Sequence, residues 1–221
     1  RLDGFTLLTS FLYAGTLSFF VYATKATYAA NAIFLQYTAP IYILILAPFV
    51  LKEKFRPADL VTVVFCLGGM SLFFLGEQGG SDQLAPNVFA GNIAGLLSGI
   101  FFGLYFVLLR HPRSLRNRNP ALSVFYGNLI IVFLMLPFLL ENPPAPTFAD
   151  FGAVAFLGVF QIGAAYILFT RGIAAGVRSL DASIIGFVEP LLNPVWVFAI
   201  LGERPSNRAI LGGVIIIAAV V

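Results

Sequence analysis

Long apolar runs alternate along the whole chain with short stretches that hold most of its charges. A membrane-spanning helix needs about 20 mostly apolar residues. Runs that approach this length lie at about 5–24, 30–51, 58–75, 89–109, 121–140, 151–170, 180–201 and 207–221. The pattern therefore predicts eight membrane-spanning helices, joined by connections that are too short to form a soluble domain.

The composition agrees with lipid as the main solvent. Of the 221 residues, 59% are hydrophobic and 10% are charged, whereas a soluble domain has about 25% charged residues. The single cysteine, Cys66, excludes a disulfide within the chain. The single histidine, His111, lies in an arginine-rich connection without metal-ligand partners. We therefore expect no metal and no cofactor.

Lysine and arginine are distributed unevenly between the two sides of the predicted spans. The larger group is Arg1, Lys52, Lys54, Arg56, Arg110, Arg113, Arg116, Arg118, Arg171 and Arg178, and the smaller group is Lys25, Arg204 and Arg208. By the positive-inside rule the larger group is cytoplasmic, and both ends of the chain are then expected there. The basic connection at 110–118 is accordingly interpreted as a topology signal, and we expect no nucleic-acid partner.

The sequence repeats itself at an offset of 150 residues. Pro40 falls on Pro190, and LKEK at 51–54 falls on LGER at 201–204. The predicted spans place these two motifs on opposite sides of the membrane, so the two copies are inverted. Inverted repeats are a common architecture of secondary transporters, whose substrate site lies near the bilayer midplane between the halves.

The motifs TAP at 38–40, LKEK, EP at 189–190 and LGER resemble those of the EamA-type family of the drug/metabolite transporter superfamily. The resemblance implies an all-α polytopic membrane protein with ten helices in two inverted five-helix repeats. Characterised members mostly export amino acids and other small metabolites. The resemblance therefore also implies an integral protein of the bacterial inner membrane.

The resemblance assigns the eight spans to helices three to ten of this fold. Residues 1–76 would hold the last three helices of the first repeat, and residues 89–221 would hold the five helices of the second. Two N-terminal helices are expected to be missing from this sequence. Because those helices would help to line a central cavity, we expect the set of candidate site residues to be incomplete.

One acidic residue, Glu189, lies near the middle of a predicted span. A charge at mid-bilayer costs at least ~3 kcal/mol on insertion scales, so Glu189 is expected to face a cavity or the bundle interior. At helical spacing it shares a face with Asn193 and Trp196. Two hypotheses follow. Either Glu189 binds a substrate ammonium or carries a coupling proton, or it is protonated and hydrogen-bonds a freed backbone carbonyl.

Prolines free backbone carbonyls in the two repeat-related spans. Pro190 cannot donate to the carbonyl of Gly186, and Pro194 cannot donate to that of Pro190. Pro40 likewise frees the carbonyl of Gln36. Each freed carbonyl must find water, a side chain or a ligand. Further polar candidates for a cavity wall are Gln36, Tyr37, Tyr13, Ser98, Asn128, Gln161 and Tyr166.

Glycines recur at every fourth position from Gly91 through Gly95 and Gly99 to Gly103. They form one smooth helix face, which extends the GxxxG pattern of closely packed membrane helices. The face is interpreted as a packing seam within the chain. A sliding surface and a homodimer contact are the alternatives.

These features predict a secondary active transporter that exports an amino acid or a similar amphipathic solute by alternating access. A nucleotide-sugar or sugar-phosphate exchanger is the alternative, but the predicted spans hold no deep cation for a phosphate. An intramembrane enzyme would need HExxH or a mid-span base, which the sequence lacks, so we expect no enzymatic activity. A channel would need a ring of charges from several subunits. The expected partners are the bilayer, a small-molecule substrate and a proton.

Overall fold

The computed structural model describes residues 3–74, 86–116, 121–141, 146–201 and 207–220. These residues form helices and contain no strand. The helices are α1 (Gly4–Ala26), α2 (Ala29–Gln36), α3 (Ala39–Val50), α4 (Pro57–Phe74), α5 (Val88–Arg110), α6 (Pro112–Leu115), α7 (Leu122–Glu141), α8 (Phe148–Phe156), α9 (Ala165–Ala174), α10 (Ser179–Ile185), α11 (Val188–Leu201) and α12 (Asn207–Val220), with a π-helix at Leu157–Ala164.

Each range that the sequence predicts to span the membrane contains one, two or three consecutive helical elements. Within the described residues, five helical tracts are long and apolar enough to cross a bilayer, namely Gly4–Ala26, Ala29–Val50, Val88–Arg110, Leu122–Glu141 and Phe148–Ala174. Shorter apolar segments lie in α4 and α12. The all-helical class is confirmed and is consistent with a polytopic membrane protein. The count of eight crossings and the two five-helix repeats stay predictions.

Local side-chain chemistry accounts for several helix starts. Asp3 caps α1 and Asn87 caps α5, each accepting a hydrogen bond from a backbone N–H three residues further on. Thr147 and Asp150 form a capping box at the start of α8. Such caps satisfy amides that have no partner within the helix. The starts of three long helical tracts are therefore fixed by residues next to them.

Helix α5 is the centre of the packing and contacts α1, α2 and α3. Its glycine face lies against the backbone of residues 26–39. An added Cβ at Gly91 would lie 2.6 Å from the nitrogen of Thr27, and one at Gly99 would lie 2.6 Å from the carbonyl oxygen of Leu35. The predicted packing seam thus lies within the chain. Because α2 and α3 cover it, this face is not available for a homodimer contact.

Two of the predicted spans are interrupted at corresponding positions. Residues 37–38 separate α2 from α3, and residues 186–187 separate α10 from α11. Pro40 and Pro190 lie in the first turn of the second half-helix in each case. Proline is tolerated there because the first amides of a helix have no intrahelical acceptor. Each proline thus restarts a helix rather than bending a continuous one.

Candidate functional site

Tyr37 brings the two helix breaks together. Its hydroxyl oxygen lies 3.0 Å from the carbonyl oxygen of Gly186 and 2.9 Å from Oε2 of Glu189. Its ring packs against Phe187, with 5.1 Å between the ring centroids. Two predicted cavity residues, Tyr37 and Glu189, are therefore in direct contact although 152 positions separate them in the sequence.

The contact follows from the missing amide of Pro190. In a continuous helix that amide would donate to the Gly186 carbonyl. Instead the carbonyl accepts the N–H of Glu189 at 3.0 Å and is also within reach of the Tyr37 hydroxyl. At the Gly186 carbonyl the side-chain partner is Tyr37 rather than Glu189, and both hypotheses for the role of Glu189 stay predictions. Tyr37 reaches the carbonyl, and Glu189 contacts Tyr37.

A second group of polar aromatic side chains surrounds Tyr13. The Tyr13 ring packs against Tyr105 at 5.7 Å and edge-on against Tyr166 at 5.1 Å, measured between ring centroids. Asn128 places its Nδ2 3.4 Å from the Tyr13 hydroxyl, and the Tyr105 hydroxyl lies 3.2 Å from Oγ of Ser123. Helices α1, α5, α7 and α9 thus contribute polar atoms to one cluster.

Tyr166 packs edge-on against Tyr13 in this cluster. The rings of Tyr13, Tyr37 and Tyr166 belong to one packed core of the helix bundle, and Glu189 contacts Tyr37. The structure therefore brings Tyr13, Tyr37, Tyr166 and Glu189 into one region. Ring faces combined with hydroxyls suit an amphipathic ligand, because the rings pack while the oxygens form hydrogen bonds.

Gln36 and Ser98 hold three helices together. Nε2 of Gln36 donates to Oγ of Ser98 at 2.9 Å, and Oγ of Ser98 donates to the carbonyl of Thr16 at 2.9 Å. Ser98 is completely buried. In this conformation these two predicted cavity residues bind neighbouring helices and do not reach the Tyr37–Glu189 contact.

The remaining candidates lie apart from this contact or outside the described residues. Gln161 is exposed within the π-helix, an element that is often found at functional sites. Trp196 is 57% exposed. The side chains of Asn193 and Pro194 lie outside the described part of the structure. The predicted cavity roles of Gln161, Trp196 and Asn193 stay predictions, as does the predicted helix break at Pro194.

A charged cluster at one end of the helices was not identified from the sequence. Arg178, which precedes α10, contacts Asp59 of α4 with two nitrogens, at 2.5 and 3.4 Å, and lies 3.5 Å from Asp181. The hydrogen bonds to Asp59 raise the pKa of Arg178. The sequence analysis used Arg178 only to determine topology. The available signal was Asp181, an acidic residue three positions after Arg178 at the start of the next predicted span, whereas nothing in the sequence pointed to Asp59.

The same cluster includes Glu53 and Arg110. Oε1 of Glu53 lies 4.0 Å from Nε of Arg110, and Nη2 of Arg110 donates to the carbonyl of Gly176 at 3.2 Å. Burial raises the pKa of Glu53. Glu53 belongs to LKEK and Arg110 ends α5, so the cluster links the first part of the chain to the second.

Comparison with known proteins gives the family and the fold. The EamA-like transporter family matches residues 3–75 and 89–221. A solved crystal structure shares the fold with a TM-score of 0.81 at 20% sequence identity, covering 97% of this chain and 74% of that one. Within the described residues, the helical fold found here therefore has a counterpart of known structure.

Several transporters are similar in sequence. An uncharacterized transporter of Helicobacter pylori (strain ATCC 700392 / 26695) is 30% identical over 149 residues, which are 65% of this chain and 47% of that protein. The uncharacterized transporter YxxF of Bacillus subtilis (strain 168) is 25% identical, over 96% of this chain and 67% of that protein. The aromatic amino acid exporter YddG of Ancylobacter novellus is 24% identical, over 86% and 64%. The chain matches about half the length of the Helicobacter relative.

Proposed function

This chain belongs to the EamA-like transporter family, and we propose that it forms part of a secondary active transporter that works by alternating access. One observation carries the proposal. The Tyr37 hydroxyl lies within hydrogen-bond distance of both the Gly186 carbonyl and the Glu189 carboxylate. Broken helices that meet near the midplane with free backbone and side-chain acceptors are typical of substrate sites in inverted-repeat transporters.

The paired helix breaks support an inverted repeat with residues 1–76 in one half and residues 89–221 in the other. At the offset of 150 residues the two breaks, at 37–38 and 186–187, correspond to within one residue. In this arrangement the charged cluster around Arg178 lies on the cytoplasmic side of a bacterial inner membrane, as do both ends of the chain. The two halves would rock around the Tyr37–Glu189 contact.

The proposed substrate is an amino acid or a similar amphipathic solute, moved outward. The carboxylate of Glu189 suits an ammonium group, and the rings of Tyr13, Tyr37 and Tyr166 suit an apolar body. A relative is named an aromatic amino acid exporter, which agrees with this class. A sugar-phosphate exchanger would need a cation at the site. Among the described residues, Arg110 and Arg178 are instead engaged in the cluster at the helix ends.

The test is exchange transport by the full-length protein in proteoliposomes. Labelled amino acids and nucleosides would be screened for saturable uptake that accelerates when the same unlabelled solute is inside. We expect Glu189→Gln to reduce exchange at least about tenfold, because a hydrogen bond to a charged group contributes about 1.5–3 kcal/mol. The matched control is Glu141→Gln, which changes an exposed carboxylate at the end of α7. Non-saturable flux without acceleration would indicate a channel and contradict the proposal.

A further inference from the structure

The Tyr37 hydroxyl carries one proton and lies next to two acceptors. The oxygen of the Gly186 carbonyl is 3.0 Å away, and Oε2 of Glu189 is 2.9 Å away. A phenol can donate one hydrogen bond and can also accept one. Both contacts are therefore fully formed only when Glu189 is protonated. In that state the Glu189 carboxyl donates to the Tyr37 oxygen, and the Tyr37 hydroxyl donates to the Gly186 carbonyl.

Ionisation of Glu189 changes this arrangement. A carboxylate has no proton to donate and is the stronger acceptor, because charge-assisted hydrogen bonds are about twice as strong as neutral ones. The Tyr37 hydroxyl then turns toward Glu189. The Gly186 carbonyl keeps the N–H of Glu189 at 3.0 Å, but its second lone pair loses its donor. The Glu189 carboxylate and the Gly186 carbonyl, each within 3.0 Å of the Tyr37 oxygen, are then two acceptors that share the single Tyr37 proton.

We propose that the Tyr37 hydroxyl switches between the Gly186 carbonyl and the Glu189 carboxylate, so that ionisation of Glu189 opens a two-acceptor site for a substrate ammonium group. This inference rests on the proposed function and deepens it. An ammonium group supplies donors for both acceptors and neutralises the carboxylate. A proton that reaches Glu189 displaces the ammonium and restores the chain of hydrogen bonds from Glu189 through Tyr37 to Gly186. Proton and substrate therefore exclude each other.

Other titratable groups around Glu189 are phenols or are engaged elsewhere. The Tyr37 phenol contacts it, and the phenols of Tyr13, Tyr105 and Tyr166 pack together in the second cluster. On α10, Asp181 is paired with Arg178. Arg208 lies in the first turn of α12, which follows the far end of α11 in the sequence. Within the described residues, no salt bridge joins Glu189 to a cation. A proton and a substrate ammonium group are then the two species that compete for the Glu189 carboxylate.

An infrared measurement tests the switch without a known substrate. The full-length protein would carry glycine labelled with carbon-13 at the carbonyl, and pH-difference spectra would be recorded in nanodiscs. We expect one labelled carbonyl band to move between acidic and alkaline pH. Gly186→Ala should remove that band, because alanine is unlabelled. Its added Cβ would lie 3.0 Å from the carbonyl of Ser183 and 3.9 Å from the Tyr37 ring, so a small adjustment accommodates it.

Two test variants with one control variant, and one test ligand with one control ligand, complete the infrared test. The band movement should disappear in Tyr37→Phe and in Glu189→Gln, and it should persist in the control Tyr22→Phe, which changes an exposed tyrosine of α1. At high pH, 2-phenylethylammonium should move the band, whereas 3-phenylpropanoate should not. A pH-independent band in the wild type, or an equal movement in Tyr37→Phe, would overturn the switch. A band unmoved by 2-phenylethylammonium would overturn the ammonium site.

Transport gives an independent readout. In Tyr37→Phe the protonated state leaves the Gly186 carbonyl without its second donor, so the proton-loaded return step becomes slower. The ratio of gradient-driven net flux to substrate exchange should then fall about tenfold, the factor for one hydrogen bond of about 1.4 kcal/mol. An unchanged ratio contradicts the switch. Absence of any exchange by the wild type contradicts the proposed function instead, and the infrared result still decides the switch.

Discussion

Arg178 and Asp59 form a two-point ion pair across 119 positions of sequence, with nitrogen–oxygen distances of 2.5 and 3.4 Å. Both side chains are partly buried, at 24% and 13% exposed. The pair fixes the start of α10 to the start of α4, next to the place where α10 also packs against α3. If the two halves rock during transport, the Arg178–Asp59 pair would have to break when the transporter opens at this end of the helices.

The first prediction concerns this pair. Asp59→Ala and Arg178→Ala should each lower the melting temperature of the full-length protein in detergent, because each removes one side of a partly buried ion pair. The coupling energy from the double variant should be about 1 kcal/mol. Asp59→Glu serves as a control that keeps the charge. Additive effects of the two alanine substitutions would show that the pair is not coupled.

The second prediction concerns the pH dependence of stability through Glu53. Burial raises the pKa of this carboxyl in the folded protein. A raised folded pKa favours the folded state while the group is protonated, and this contribution is lost as pH rises through the folded value. Glu53→Gln should therefore be more stable than the wild type at neutral pH, and the difference should shrink on acidification.

Melting temperatures measured between acidic and neutral pH check this prediction. Glu141→Gln, at an exposed position of α7, should show no such trend. A Glu53→Gln variant that is less stable than the wild type at neutral pH would mean that the contact with Arg110 at 4.0 Å outweighs the burial of the charge.

The sequence predicts the helical ranges well because the apolar length that a bilayer requires is a local property. It also identifies Glu189 and Tyr37 separately, since each is a polar side chain within an apolar run. Their pairing depends on how α2 and α3 lie against α10 and α11, and no local pattern encodes that packing. The missing amide of Pro190 was predictable, but the side chain that compensates for it was not.

Polarity within a span does not distinguish a cavity residue from one that joins helices. Ser98 was assigned to a cavity wall, whereas in this conformation it bonds Thr16 and Gln36. Small polar side chains commonly connect membrane helices in this way. The charged cluster was missed for a related reason. Counting Arg178 as a connection charge gives the topology, and matching Glu53 within LKEK gives the repeat, but neither step considers the partners that other helix ends supply.

The third prediction concerns the glycine face of α5. In Gly99→Ala the new Cβ would lie 2.6 Å from the carbonyl oxygen of Leu35 and 2.8 Å from Oγ1 of Thr38. The helices must then move apart next to the break between α2 and α3. Overpacking of this kind costs about 1–3 kcal/mol, which a lower melting temperature should show. Gly68→Ala is the matched control, because nothing lies within 4 Å of its added Cβ. Equal stability of the two variants would contradict the backbone contact.

The fourth prediction separates packing from binding at Ser98. Ser98→Ala removes two hydrogen bonds of 2.9 Å from a completely buried position, and it leaves Nε2 of Gln36 without that acceptor. Stability should fall by about 1–3 kcal/mol. Because the hydroxyl does not reach the Tyr37–Glu189 contact, the KM for exchange should change much less than in Glu189→Gln. The measurements are the melting temperature and the concentration dependence of exchange. A large increase in KM with unchanged stability would place Ser98 in the cavity wall after all.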